Sequence, residues 1–265
     1  MGIKTKIPYC DSTWNIVTGC LHGCDFCYAR RIAERFGIKP FGYVEPTVLE
    51  EPIILQGKKE PYPLGFAPTF HRYRLDEPRR WKKPRTIFVC SMADLFGEWV
   101  PDTWIQEVFD ACRKAPQHRY LFLTKNGDRY KWLYDSGMMP IGVDAFGMWF
   151  GCTITKPTDS FFYNDLYANG IDHNGFLSIE PIHDDFAPTE FDPLDYGIKW
   201  IIVGAETGNR KGKVLPKREW IEHLAQTCDA SGIPIFMKES LRELMGADFR
   251  QEYPWSGMPA PADAR

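Results

Sequence analysis

Long apolar runs are missing from this sequence. No segment reaches the roughly 20 consecutive apolar residues that a membrane-spanning helix needs, and residues 1–8 contain no apolar core of a secretory signal. The composition, with 44% hydrophobic and 25% charged residues, is that of an ordinary globular protein. We therefore expect a cytoplasmic protein with no membrane partner.

A strong excess of one charge is also absent. The formal net charge is −3, from 32 Lys and Arg against 35 Asp and Glu, so the overall charge gives no reason to expect a polyanionic partner. The distribution is uneven, because residues 57–85 hold nine Lys and Arg against three acids, with five aromatic residues between them. Basic and aromatic side chains together can bind phosphates and stack bases. A nucleic-acid contact and an ordinary solvated surface both remain open for this stretch.

Internal repeats and strong linkers are missing as well. Apolar segments typical of buried strands alternate with helix-like segments along the chain, and repeated βα units predict a parallel sheet. Six or seven such units predict an α/β fold, specifically an open, partial TIM-like barrel. The predicted strands cover residues 14–18, 85–90, 119–124, 149–154, 176–179, 199–203 and 233–237.

The expected domain organisation follows from these units. We expect one βα domain over residues 1–253, with a basic, Pro-rich insertion at about 38–85 that forms at most short elements. A loosely patterned helix is predicted near 160–167, and residues 254–265 are expected to be a surface tail. The insertion is long enough to be a lid. If it covers the barrel mouth, its basic residues would meet phosphates while Tyr73 or Trp81 stacks a base.

Cysteine is present, but no spacing suggests disulfide pairs among the eight residues. Three of them, Cys20, Cys24 and Cys27, form the pattern C-x3-C-x-aromatic-C. Thiolates are soft ligands that favour iron–sulfur clusters or zinc. A [4Fe–4S] cluster usually takes four thiolates, so three leave one iron open to an outside ligand, as in catalytic metal sites. Four others lie in apolar surroundings and are predicted to be buried: Cys90, Cys112, Cys152 and Cys228.

Two other interpretations of the cysteine loop stay open. A structural zinc site needs four ligands, and Cys10 or His22 is near enough in sequence to supply the fourth. Such a zinc-stapled protein would bind nucleic acid through residues 57–85 without catalysis. Alternatively, a fourth protein ligand would complete the coordination of an iron–sulfur cluster used for electron transfer or sensing. Cys10 is the better candidate for that ligand.

Further motifs accompany the cysteine loop along the chain. They are TWN (13–15), IFVCSMADLF (87–96), LTK (123–125), LSIEP (177–181), IIVGAETG (201–208) and FMK (236–238). In this order they resemble a phage- and prophage-associated family of radical S-adenosylmethionine (SAM) enzymes of unknown reaction. The resemblance covers most of residues 9–240.

This resemblance implies a cofactor pair and a type of reaction. The three loop cysteines would bind a [4Fe–4S] cluster whose open iron is chelated by SAM. Reductive cleavage of SAM would then activate a C–H bond of a second substrate. An electron donor such as flavodoxin or ferredoxin would be a partner. The phage association makes a nucleic acid or nucleotide the leading substrate class.

Polar side chains stand at the ends of the predicted strands, which is where parallel barrels carry their chemistry. Carboxylates there suit the ammonium and ribose hydroxyls of SAM, hydroxyls suit the ribose, and lysines suit the carboxylate. The resemblance places Phe26 beside the adenine, and Tyr28 also flanks the last loop cysteine. The other candidate cofactor-binding residues are Ser91, Asp94, Thr153, Thr155 and Glu206, and the candidate catalytic residues are Lys125, Glu180 and Lys238.

One departure from the wider superfamily concerns the second strand. Many radical SAM enzymes have a Gly-Gly-Glu stretch there that binds the SAM ammonium, whereas this chain has CSMAD (90–94). The assignment of Ser91 and Asp94 to the SAM ammonium is therefore a hypothesis based on residue type and position.

Overall fold

The structure is a computed structural model that describes residues 5–39, 42, 44–159, 174–187 and 197–255. The predicted helix near 160–167 and most of the predicted tail lie outside these residues. The strands are β1 (Ser12–Trp14), β2 (Val17–Thr18), β3 (Thr47–Leu49), β4 (Ile54–Leu55), β5 (Lys58–Lys59), β6 (Thr69–His71), β7 (Thr86–Val89), β8 (Arg119–Thr124), β9 (Met148–Ile154), β10 (Asn174–Ile179), β11 (Ile198–Val203) and β12 (Ile235–Met237). The helices are α1 (Tyr28–Phe36), α2 (Glu77–Arg80), α3 (Asp102–Arg113), α4 (Asp128–Asp135), α5 (Arg218–Ser231) and α6 (Arg242–Met245).

Seven parallel strands form the main sheet, in the order β1-β7-β8-β9-β10-β11-β12. Each pairing whose register is described is parallel, namely β1 with β7, β7 with β8, β9 with β10, β10 with β11 and β11 with β12. Spatial order therefore follows chain order, as in an open, partial TIM-like α/β barrel. The predicted fold class is confirmed.

The strands of this sheet are apolar over nearly their whole length. All residues of β7 and β12 are buried, and β10 is exposed in part only at its first residue. Parallel strands that are covered on both faces have this composition because neither face meets water. The sheet is therefore the centre of the core, with Phe150 and Trp200 fully buried.

The first predicted strand is in fact two strands. Residues Ser12–Trp14 pair with β7, whereas Val17–Thr18 pair antiparallel with β6 in a separate three-stranded sheet, β2-β6-β3. The carbonyl of Ile16 accepts a hydrogen bond from His71 N at 2.8 Å. The prediction of one strand over 14–18 is wrong because the chain changes its pairing partner after Trp14, which an apolar pattern does not reveal.

The longer helices bury one face, as their periodicity predicts. Trp104, Ile105, Val108, Phe109 and Cys112 of α3 are all buried. In α5 the buried residues include Cys228, and the helix ends at Gly232 with φ +66°, a left-handed conformation that favours glycine. Cys90 and Cys152 are also buried, so the prediction for the four cysteines outside the loop region is confirmed.

The chain divides into two compact units. Of the described residues, those in 5–124 and 146–148 form one unit, and those in 125–145 and 149–255 form the other. The predicted single domain over 1–253 and its insertion at about 38–85 stay predictions, and the described residues of 38–85 form short elements. Nowhere in the described part of the chain is a helix both long enough and apolar enough to traverse a bilayer.

Candidate functional site

The cysteine loop, residues 20–27, begins at the C-terminal ends of β1 and β7. Gly19 N donates to Met92 O at 2.9 Å, and Gly19 forms a parallel bridge with Ala93. Gly19 has φ +87°, and a Cβ there would lie 2.2 Å from the carbonyl oxygen of Ala67. Only glycine fits this position. The loop therefore starts at the edge of the sheet where parallel barrels carry their chemistry.

Cys27 is the N-cap of α1. Its Sγ accepts a hydrogen bond from Arg30 N at 3.3 Å, and a helix N-terminus stabilises a nearby negative charge. The Arg30 side chain donates to Cys20 O at 3.3 Å, with its guanidinium 4.8 Å from the centre of the Phe66 ring. The first turn of α1 thus contacts both ends of the loop.

The three thiols of the loop are partly exposed, and none is in a disulfide. Burial raises the pKa of Cys20 to about 12, and nearby Asp94, Cys27 and Cys24 act in the same direction. In the described part of the chain, no three or more His, Cys, Asp or Glu side chains converge as a metal-binding group. The donor set fits an iron–sulfur cluster in its chemistry, since it offers three soft sulfurs on one loop.

His22, inside the loop, contacts a buried carboxylate. His22 Nε2 lies 2.7 Å from Asp94 Oδ2, and Thr124 Oγ1 donates to the same oxygen at 2.9 Å. Phe96 N donates to Asp94 Oδ1 at 3.0 Å, and Asp94 is only 5% exposed. Asp94 therefore joins the cysteine loop to the end of β8, a role that the sequence analysis did not assign.

Tyr28 and Ser91 are joined by a hydrogen bond. Tyr28 Oη donates to Ser91 O at 2.6 Å, and Ser91 Oγ donates to Asn15 Oδ1 at 3.0 Å. Cys90 has φ +58°, which is uncommon for a residue other than glycine, so the chain turns sharply after β7. The structure thus brings Tyr28, Ser91 and Asp94 against the cysteine loop that contains Phe26. Their binding of SAM stays a prediction.

In the second unit, Glu180 and Lys238 form an ion pair. Glu180 directly follows β10, and Lys238 directly follows β12. Backbone bonds fix both residues, because Glu180 N donates to Ile154 O at 3.1 Å and Lys238 N donates to Val203 O at 2.9 Å. Two of the three candidate catalytic residues therefore contact each other at the C-terminal ends of parallel strands.

Glu206 follows β11 and is buried against Arg210. Arg210 Nε and Nη2 each donate to a carboxylate oxygen of Glu206 at 2.7 Å, and these bonds lower the pKa of Glu206. His183 lies within electrostatic reach of Glu206, Arg210, Asp159 and Lys125, and burial lowers the pKa of His183. Arg210 and His183 were not among the candidate residues predicted from the sequence, although His183 follows a predicted strand end by four residues and Arg210 by seven.

Thr155 is held in the turn that follows β9. Its N and Oγ1 donate to Asp159 Oδ2 at 2.7 and 2.8 Å, and Lys156 N donates to the same oxygen at 3.2 Å. Thr153, inside β9, is partly exposed. The assignment of both threonines to the SAM ribose stays a prediction.

Cys10 lies before β1, at the end opposite the cysteine loop. Its Sγ donates to Ile7 O at 3.8 Å. Burial raises the pKa of Cys10 to about 12, and its surroundings include the backbone of Phe88 and Ser12. This placement disfavours Cys10 as a fourth ligand, on which the electron-transfer alternative and one form of the zinc alternative depend.

The basic residues of the stretch 57–85 fall into two groups, those that contact other parts of the protein and those that are exposed to solvent. Arg72 pairs with Glu107 at 2.9 Å, Arg74 donates to Asn15 O at 2.8 Å, and Arg85 donates to Ser12 Oγ at 2.7 Å. These three arginines are used in packing. The exposed basic residues are Lys58, Lys59, Arg79, Arg80, Lys82 and Lys83.

The segment with residues 79–83 lies where β7 and β8 begin. Pro78 O is 2.9 Å from His118 Nε2, and Trp81 O accepts a hydrogen bond from Gln117 Nε2 at 3.2 Å. Both partners directly precede β8. This part of the insertion therefore lies at the start of these strands and not at their C-terminal ends, whereas the stacking of a base on Tyr73 or Trp81 stays a prediction. The part near Phe66 does approach the cysteine loop, since Phe66 O accepts from Cys20 N at 3.3 Å.

The fold is similar to solved structures of spore photoproduct lyase. A cysteine-to-alanine variant with dinucleoside spore photoproduct matches with a TM-score of 0.54 and 12% identity, over 90% of this chain and 79% of that chain. A double variant with bound AdoMet and dinucleoside spore photoproduct matches with a TM-score of 0.50 and 11% identity, over 89% and 78%. At these identities the likeness shows a shared fold.

In sequence, no curated protein matches the chain. The family model described as "Protein of unknown function (DUF5131)" matches residues 4–244. Because this match covers most of the chain, the chain belongs to the DUF5131 family.

Proposed function

We propose that this protein is a radical SAM enzyme in which Cys20, Cys24 and Cys27 hold a [4Fe–4S] cluster. The observation that carries the proposal is the position of the three-cysteine loop, at the C-terminal ends of β1 and β7 in a sheet of TIM-like order. A solved structure with the same fold holds AdoMet. When bound, the cluster supplies the electron that cleaves SAM reductively, and the protein binds, orients and shields the reactants.

Residues beside the cysteine loop would hold the loop in place and contact the adenosine end of SAM. Cys27 is placed at the N-terminus of α1, where an anionic sulfur is stabilised. His22 and Asp94 anchor the middle of the loop. Phe26 would lie beside the adenine.

The candidate residues at the strand ends are proposed to bind the polar groups of SAM. Lys125 and Lys238 are suited to its carboxylate, and Glu180 and Glu206 to its ammonium or ribose hydroxyls. Two ion pairs already orient the carboxylates, because Lys238 contacts Glu180 and Arg210 contacts Glu206. Ordering these side chains in advance reduces the entropy lost when a ligand binds.

A nucleotide or nucleic acid is the proposed substrate class. Solved structures with this fold hold a dinucleoside, and the loop after β11 carries Arg210, Lys211 and Lys213. In TIM barrels, loops after the late strands commonly bind phosphate. Lys213 Nζ donates to Gly208 O at 3.0 Å, which holds this loop together. These residues replace the segment 79–83 as the proposed phosphate contacts near the site.

Anaerobic reconstitution with iron and sulfide tests this function. The expected product is a brown protein with about four irons per chain, which converts SAM into methionine and 5′-deoxyadenosine when dithionite is added. A colourless protein that retains zinc would support the zinc-stapled alternative. A stable cluster whose spectrum does not respond to SAM would instead support electron transfer or sensing.

A further inference from the structure

The indole of Trp99 packs against the cysteine loop. Its ring lies edge-on to the ring of His22, with the ring centres 4.9 Å apart and an angle of 79° between the two planes. His22 stands between Cys20 and Cys24 in the sequence of the loop. Trp99 therefore contacts the loop between two of the three proposed cluster ligands, and it is not among the candidate residues that the sequence predicts.

The turn that follows β7 holds this indole in place. Gly97 N donates to Asp94 O at 3.4 Å, and Val100 N donates to Gly97 O at 2.9 Å. A Cβ on Gly97 would lie 2.3 Å from Trp99 Cζ2 and 2.5 Å from Trp99 Cε2, so the ring occupies space that only glycine leaves open. One short turn thus supplies both contacts to His22, the carboxylate of Asp94 and the ring of Trp99.

The N–H group of this indole is a buried hydrogen-bond donor. Trp99 Nε1 is buried, although the residue as a whole is partly exposed, and it has no hydrogen-bond partner among the described residues. Leaving a buried donor unpaired costs free energy, so such a group in a folded protein usually marks a bound water, ion or ligand. Because the ring lies beside His22, the missing acceptor is best explained as part of a group that the cysteine loop holds.

We propose that Trp99 Nε1 donates a hydrogen bond to a sulfur of the iron–sulfur cluster and thereby raises the reduction potential of the cluster. Sulfides and thiolates accept hydrogen bonds, and such bonds are among the factors that set cluster potentials. Reduction adds a negative charge to the acceptor, and hydrogen bonds to charged acceptors are the stronger ones. The indole therefore stabilises the reduced state more than the oxidised state. This inference rests on the proposed function and adds to it a residue that tunes the cluster.

Replacing Trp99 by Phe tests this bond, because Phe keeps an aromatic ring beside His22 but has no N–H group. The matched control is Trp81→Phe, the same change on a partly exposed residue where β7 begins. A redox titration followed by EPR, on reconstituted protein without SAM, measures the midpoint potential. We expect reduction of Trp99→Phe to be about tenfold less favourable than reduction of the wild type, which is a shift of about 59 mV to lower potential for one electron. The control should match the wild type.

Pulsed EPR of the reduced protein, with isotope-labelled indole nitrogens, detects the bond directly. The wild type and Trp81→Phe should show magnetic coupling between the cluster and one indole nitrogen, and Trp99→Phe should lose it. Absence of coupling in the wild type would overturn the proposal, as would equal potentials in Trp99→Phe and the wild type at equal iron content. Weaker SAM binding in Trp99→Phe at an unchanged potential would also overturn it, because the indole would then bond to SAM. A wild type that binds no iron would instead count against the proposed function, and the proposal would fall with it.

Discussion

His22 Nε2 lies 2.7 Å from Asp94 Oδ2, so the cysteine loop is hydrogen-bonded to a buried carboxylate 72 residues further along the chain. From its residue type and position in the sequence, Asp94 is expected to bind SAM. In the structure Asp94 also accepts from Thr124 and from Phe96 N. Its contacts within the protein indicate that it holds the loop in position.

Replacing Asp94 by Ala should therefore loosen the cluster. Hydrogen bonds to charged groups are worth about 1.5–3 kcal/mol, so we expect release of iron to a chelator to be about tenfold faster or more. Asp94→Asn, which keeps an acceptor oxygen, should be intermediate, and Asp102→Ala at the start of α3 should match the wild type. Normal iron retention with weakened SAM binding in Asp94→Ala would favour the original assignment of Asp94 to SAM.

The ligand set of the cluster is tested by single cysteine replacements. Cys20→Ala, Cys24→Ala and Cys27→Ala should each abolish the brown chromophore after anaerobic reconstitution. Cys10→Ala should keep it, because Cys10 lies before β1 and bonds to Ile7 O. Visible absorbance and iron content measure the outcome. Loss of the brown chromophore in Cys10→Ala would favour the electron-transfer interpretation over the catalytic one.

The strand-end residues Thr153 and Glu206 should contribute to SAM affinity. Thr153→Ala and Glu206→Ala should each weaken SAM binding about tenfold or more with the cluster intact, since each removes a proposed hydrogen bond to a charged or polar group. Equilibrium dialysis with labelled SAM measures this, and Glu219→Ala on the exposed first turn of α5 is the control. Unchanged affinity in both variants would place SAM elsewhere.

The Glu206–Arg210 pair should make stability depend on pH. Arg210 holds the pKa of Glu206 below its ordinary value. The stabilisation is therefore present above that ordinary value and is lost as the pH falls through the lowered one. Arg210→Met should lower the Tm at neutral pH and reduce its dependence on pH in the acid range. Parallel Tm curves for the variant and the wild type across that range would contradict the expected linkage.

Phosphate binding distinguishes the two basic regions. Lys211→Ala/Lys213→Ala should weaken binding of a short oligonucleotide and reduce the slope of log affinity against log salt by about one unit for each phosphate that is no longer neutralised. Lys82→Ala/Lys83→Ala, at the opposite end of the strands, should leave the slope unchanged. Fluorescence anisotropy at several salt concentrations measures both. The reverse result would restore the segment 79–83 as the nucleic-acid contact.

Local patterns in the chain were enough to predict most elements of the main sheet and the position of the cysteine loop. Apolar runs predicted six of the seven strands, β7 to β12, to within a few residues, and the pattern YARRIAERF predicted α1 at Tyr28–Phe36. These features can be predicted from short segments, because apolar residues recur at the period of a strand or a helix wherever one of its faces is buried. The spacing of Cys20, Cys24 and Cys27 is local in the same sense.

Which residues meet across the fold could not be predicted in this way. The chain changes its pairing partner after Trp14, Asp94 contacts His22 rather than presenting an open carboxylate, and residues 79–83 pack beside His118 where the strands begin. Each of these contacts joins residues that are tens of positions apart. Residue type and apolar periodicity do not identify such distant partners, because these contacts depend on how the whole sheet packs.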